Sequence, residues 1–73
     1  MSQAAAHTEL IAELTASYRK LAAEASKKAD LVKAAEGKGP KTIATVSETA
    51  AKAARRRDVA AAKLTKLGVA LPD

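Results

Sequence analysis

The sequence lacks most of the residues that carry chemistry in proteins. It has no Cys, no Trp and no Phe, and its 73 residues include one Tyr and one His. The absence of Cys excludes a disulfide framework and a thiolate metal site, and a single imidazole cannot complete a histidine-based zinc site. No Ser or Thr hydroxyl has a candidate general base that would activate it as a nucleophile. We therefore expect no catalytic residues, no metal site, no cofactor and no small-molecule substrate, so that the chain is not an enzyme.

Large apolar side chains are also scarce. Apolar residues make up 48% of the chain, but 20 of these 35 residues are Ala, which leaves only 15 larger ones. A chain of this length holds one domain at most, so residues 1–73 are interpreted as a single helical domain. No run approaches the ~18 apolar residues of a membrane span, and residues 1–7 show no secretory signal. We therefore expect a cytoplasmic protein.

A long first helix is predicted over about 8–36. Residues 9–35 contain neither Gly nor Pro and are rich in strong helix formers. Thr8 or Ser2 is the candidate N-cap, with Glu9 near the positive end of the helix dipole. Larger residues recur at alternating steps of three and four, the spacing of a coiled-coil seam. The seam positions of this helix are Ile11, Leu14, Tyr18, Leu21, Ala25, Lys28, Val32 and Ala35.

A turn over 37–41 and a second helix over about 42–67 are predicted next. Gly37 can close the first helix in the left-handed conformation. Two starts remain open for the second helix, because Pro40 suits a first helical position and 45–48 (Thr-Val-Ser-Glu) resembles a capping box. Gly68, after Leu67, predicts a Schellman closure. The seam continues through Ile43, Val46, Ala50, Ala53, Arg57, Ala60, Leu64 and Leu67.

Two helices joined by a short turn predict an all-α antiparallel hairpin, in which the numbers of facing residues sum to about 78. One hairpin covers only one side of each seam, so we expect two copies to pair into a homodimeric four-helix bundle. A third helix from a partner protein would serve equally. Lys28 and Arg57 interrupt the seam. Either their stems follow the apolar strip with their charges in water, or they set the register, with Glu24 as a partner.

Basic residues are concentrated after residue 18. The net charge is +5, of which residues 1–18 contribute −2 and residues 19–73 contribute +7. Three consecutive Arg residues at 55–57 fan through roughly 200° of a helix, so one faces the seam and two face outward. The predicted partner-binding residues are Lys52, Arg55, Arg56 and Lys63 on the second helix, and Arg19, Lys20 and Lys27 on the first.

These basic faces suit an acidic partner. Aromatic residues that stack on bases are absent apart from Tyr18, and Asn is absent, so nucleic-acid contact would be limited to the phosphate backbone. The sequence predicts a small regulatory or adaptor protein that acts by protein–protein interaction. Nucleic-acid binding is the alternative, and peripheral membrane binding ranks third because the apolar stripe lacks Trp and Phe anchors. A solvated face that serves solubility alone explains the charge as well.

Overall fold

The chain folds into two helices that pack against each other as a hairpin. A computed structural model describes residues 3–71, with side chains from residue 7 onward. Helix α1 spans Gln3–Ala34 and helix α2 spans Pro40–Lys66, and no strand occurs in residues 3–71. The predicted all-α hairpin is therefore confirmed, with its helices extensively in contact.

Helix α1 begins about five residues before the predicted start. Thr8 lies inside the helix, so its interpretation as the N-cap is wrong, and the other candidate, Ser2, lies outside the described residues. The reason is local propensity, because a run of Ala at positions 4–6 extends the helix toward the N-terminus. Glu9 therefore lies beyond the first turn, which holds no acidic residue. His7 is an exposed residue of the helix.

Helix α1 ends at Ala34, two residues before the predicted end, and a β-turn follows it. The Lys38 amide donates to the Ala35 carbonyl at 2.9 Å, and Gly37 has a φ of 84°, in the left-handed region that favours Gly. Gly39 is extended, with φ −64° and ψ 158°, and caps α2 without a side-chain hydrogen bond.

Pro40 starts α2, and the capping-box interpretation of residues 45–48 is wrong. Gly39 is the N-cap, and Pro40 occupies the first turn, where a missing amide hydrogen costs nothing. Thr45 lies inside the helix, and its hydroxyl donates to the Lys41 carbonyl at 2.9 Å. Thr49 repeats this bond to the Thr45 carbonyl at 3.0 Å. The hydroxyls of this Thr-rich segment are thus satisfied one turn back along the helix.

The positive φ of Gly37 makes this position of the turn sensitive to the addition of a side chain. We expect Gly37→Ala to lower the free energy of unfolding by about 1 kcal/mol, because a Cβ strains the left-handed region although it meets no atom within 4 Å. Gly39→Ala is the matched control, since Gly39 also has open space but a negative φ, and we expect a change within about 0.5 kcal/mol. Urea unfolding followed by circular dichroism measures both. Equal losses in the two variants would contradict the assigned turn.

The C-terminus of α2 closes as predicted. The Gly68 amide donates to the Thr65 carbonyl at 3.0 Å, and the Val69 amide donates to the Leu64 carbonyl at 3.0 Å. Together with a φ of 77° at Gly68, these bonds form a Schellman motif. The C-cap of the helix is Leu67, one residue after the last residue of α2.

The core is a thin line of small residues between the helices. The buried apolar residues are Ala25, Ala35, Ala53, Ala60 and Leu64. Among the side chains of residues 7–71, Leu64 is the only large one that is fully buried. The molecule is a rod of 57 × 16 × 15 Å with a radius of gyration of 16.0 Å. A compact chain of this length would have a radius of gyration of about 11 Å, so most side chains remain near solvent.

Candidate interaction groove

A groove runs between the two helices along one side of the rod. It encloses about 450 Å³. Helix α1 contributes Leu14, Ser17 and Leu21, and helix α2 contributes Arg55, Arg56, Val59, Ala60 and Lys63. These residues agree with a register in which facing numbers sum to about 78, because Leu21 and Arg56 line one level and Leu14 and Lys63 line another.

The groove continues toward the open end of the hairpin. A second hollow of about 380 Å³ shares Leu14 and Lys63 with the groove and is lined further by Leu10, Lys66 and Leu67. We call the groove and this hollow together the groove face. Its floor carries large apolar side chains that the hairpin does not cover, because Val59 is 56% exposed and Leu10 is 45% exposed. The structure thus leaves an apolar strip open to water.

The α2 edge of the groove face is a row of cations without acidic partners. Arg55, Arg56, Lys63 and Lys66 are exposed, and within residues 7–71 none of them forms an ion pair. Arg56 and Lys63 are seven residues apart and therefore lie on one side of α2. Their positive charge is available to a ligand, because no carboxylate within the described part of the chain pairs with them.

Arg57 is separated from this row by its position on the helix. It is half-buried at the seam, and its guanidinium contacts the neighbouring Asp58 through Nη2 at 3.0 Å and Nε at 3.1 Å. Glu24 therefore does not pair with Arg57, and within the described side chains it does not pair with Lys28 either. Lys28 is also half-buried. The fan of three Arg residues thus places one at the seam and two on the groove.

The remaining basic residues chosen from the sequence lie elsewhere. Lys52 pairs with Glu48 one turn earlier, with 3.4 Å between Nζ and Oε1, so its charge is compensated. Arg19, Lys20 and Lys27 are exposed on α1 and line neither hollow of the groove face. The structure brings together Arg55, Arg56 and Lys63 from the predicted set, and it adds Lys66.

The seam residues follow the contact line of the two helices. Leu64 and four Ala residues of the seam are buried, and the larger apolar seam residues other than Leu64 are half-buried, with the exception of Ile43. Ile43 lies in the first turn of α2 and is 37% exposed. The half-buried seam residues are Ile11, Leu14, Tyr18, Leu21, Val32, Val46 and Leu67.

The sequence did not predict a groove, although several of the residues that line it were named from the sequence. Ser17 and Lys66 were not singled out. The available signal was the spacing of Leu10, Leu14, Ser17 and Leu21, which recurs every three or four residues on the flank of the seam. The sequence pattern alone does not show which of the two flanks of the seam stays open, because that depends on how the helices pack.

The fold and this face define a helical hairpin with a basic-edged apolar groove. No protein-family model, no curated protein and no solved structure matches the chain. Among the described residues, no group of three or more metal-ligating side chains is placed to hold an ion. Neither helix, over its described residues, is long and apolar enough to cross a membrane.

Proposed function

We propose that this chain is a small, non-catalytic protein-interaction module of the regulatory or adaptor kind, and that it contacts protein through the groove face. The observation that carries the proposal is one surface that combines an uncovered apolar floor with unpaired cations. Protein interfaces have this composition, with an apolar centre and Arg enriched around it. The exposed Val59 would be the centre of such a contact, and Arg55 and Arg56 its edge.

A protein partner accounts for the groove face better than a nucleic acid does. A phosphate backbone neutralises cations, but it presents no apolar surface to cover Leu10, Leu14 and Val59. An amphipathic helix from a protein covers both parts at once, because its apolar stripe fits the floor and its acidic residues meet the basic edge. The presence of the floor, more than the charge, therefore favours protein.

Site-specific cross-linking tests this proposal. A photoreactive amino acid at position 59 is expected to form adducts with protein in cells of the native host, since Val59 lies on the groove floor. The same amino acid at Ala51, an exposed α2 residue outside the groove, is the matched control and is expected to form few. Mass spectrometry of the adducts identifies their class and counts them at the two positions.

Three outcomes would contradict the proposal. Equal yields at positions 51 and 59 would show that the groove face has no special role. Adducts at position 59 with nucleic acid alone would support the nucleic-acid alternative. In that case the chain should bind labelled DNA or RNA in a salt-dependent way, and a variant with Arg55 and Arg56 changed to Ala should bind it more weakly. Adducts with lipid alone would support a membrane surface.

A further inference from the structure

We infer that the groove face is occupied by a second copy of this chain. The two hairpins lie face to face with their turns at the same end, so that α1 of each copy packs on α2 of the other. This inference rests on the proposed function, because it names the partner of the same surface. The assembly is a four-helix bundle in which each contact occurs twice, related by a two-fold axis along the length of the rods.

The exposed area of the single hairpin supports a partner of this size. The chain exposes 5510 Å². A compact protein of the same mass would expose about 4,200 Å², so the hairpin carries an excess of about 1,300 Å². A stable dimer buries about 800 Å² on each partner. The excess exceeds that requirement, and a second rod of the same length can cover it.

The apolar floor is complementary to itself. In the face-to-face arrangement, Leu14 and Leu21 on α1 of one copy flank the level of Val59 on α2 of the other, and Leu10 lies level with Leu67 of the other copy. Each copy thereby covers residues that its own hairpin leaves open. A two-fold contact requires that kind of self-complementary patch.

The charges on the two edges of the groove face are also complementary. Glu13 and Glu24 lie four residues before and seven residues after Ser17, so both share its side of α1. Both are exposed, and within residues 7–71 neither forms an ion pair. The two carboxylates line neither hollow, but they lie beside Ser17 on the α1 side of the groove face, and the cations that pair with no described carboxylate lie on its α2 edge.

The register brings these opposite charges to the same levels along the rod. Leu21 shares its level with Arg56, so Glu24, less than one turn further, lies within a turn of Arg55 and Arg56. By the same register Glu13 lies level with the interval between Lys63 and Lys66. With the turns at one end, these levels are preserved between copies, and each Glu meets cations of the other chain.

Lys20 lies between the two Glu residues on α1, so this side of the helix carries one cation beside its two carboxylates. The same register places it level with residues 57–58, within one turn of both Arg56 and Val59 of the second copy. There its aliphatic stem covers an apolar side chain while its ammonium reaches water.

The opposite orientation is disfavoured by charge. With the turns at opposite ends, α2 would pack on α2, and the row containing Arg55, Arg56, Lys63 and Lys66 would face its own copy. Like charges in close contact oppose association, and the acidic edges would face each other as well. The charge pattern therefore selects the arrangement with both turns at one end.

A charge-exchange experiment tests the inference. Sedimentation equilibrium of the parent chain is expected to give twice the 7.5 kDa chain mass. Glu24→Arg and Arg56→Glu, each prepared alone, are expected to raise the dissociation constant on the order of 100-fold, because each reversal acts at two contacts. An equimolar mixture of the two variants restores opposite charges at both contacts, and its mass is expected to return to that of a dimer. Asp30→Arg, an exposed reversal outside the groove, is the control.

Helicity measured on the same samples keeps the test decisive if a single variant unfolds, because the mixture is then expected to recover both helicity and mass. A monomeric parent, a mixture that stays monomeric, or an equal loss with Asp30→Arg would overturn the inference. Different outcomes would contradict the proposed function and the inference of a second copy. A monomeric parent whose position 59 still cross-links to a different protein loses the second copy but keeps the groove as a protein-binding surface, whereas absence of protein adducts at position 59 removes both.

Discussion

Replacement of Leu64 with Ala is expected to produce the largest loss of stability of any single truncation in this chain. Leu64 is 0% exposed, and no other large side chain within the part of the chain that the structure describes is buried completely. Truncation of a fully buried Leu removes its transfer free energy and leaves a cavity, which together cost about 3 to 5 kcal/mol. With four Ala residues as the rest of the buried core, little neighbouring side-chain volume is available to fill that cavity.

Urea unfolding, followed by circular dichroism at one protein concentration, measures this effect. Leu31→Ala is the matched control, because it makes the same chemical change on α1 at a residue that is 49% exposed. We expect the control to cost less than about 1 kcal/mol. Similar losses at positions 64 and 31 would contradict the placement of the core. The concentration is held constant because the proposed association of two copies would make the measured stability depend on it.

Enlargement of Ala53 is expected to have the next largest effect. Ala53 is 7% exposed, and the register places it opposite Ala25, which is 5% exposed. Two methyl groups at this level allow the helices to approach closely. Ala53→Leu forces them apart or into strained rotamers, and we expect the free energy of unfolding to fall by about 1 to 3 kcal/mol.

Ala51→Leu is the control for this enlargement. Ala51 is an exposed residue of the same helix, two positions away, so the substitution tests helix propensity without the packing change. We expect its effect to be within about 0.5 kcal/mol. If Ala53→Leu stabilised the chain instead, the helices would be further apart at this level than the buried Ala pair indicates.

Local features of the fold were predictable from the sequence because each depends on neighbouring residues. Gly37 and Gly68 were expected in the left-handed region, and both have a positive φ. The Schellman closure after Leu67 followed from the same local pattern. Where two local patterns competed, the sequence left the choice open, as between Pro40 and the Thr45 capping box. Here the helix adopted the earlier start, and the Thr45 hydroxyl bonded back along the helix.

The start of α1 shows where pattern reading failed. Polar residues such as Thr8 favour N-caps, but they are also tolerated within helices. The Ala run before His7 continues the helix past Thr8, so a strong capping residue became an interior one. A cap requires that the preceding residues be non-helical, and the capping residue by itself does not supply that condition.

By itself the sequence determined that this protein is a pair of helices with too few large apolar residues for a substantial core, since helix propensity, seam spacing and the Gly and Pro breakers act over short distances. Only the tertiary structure decided which flank of each seam stays open. That choice places Arg55 and Arg56 on the groove, and it leaves Val59 uncovered between cations. The physical reason is that the packing of two helices selects one side of each, and no local interaction along either helix contains that information.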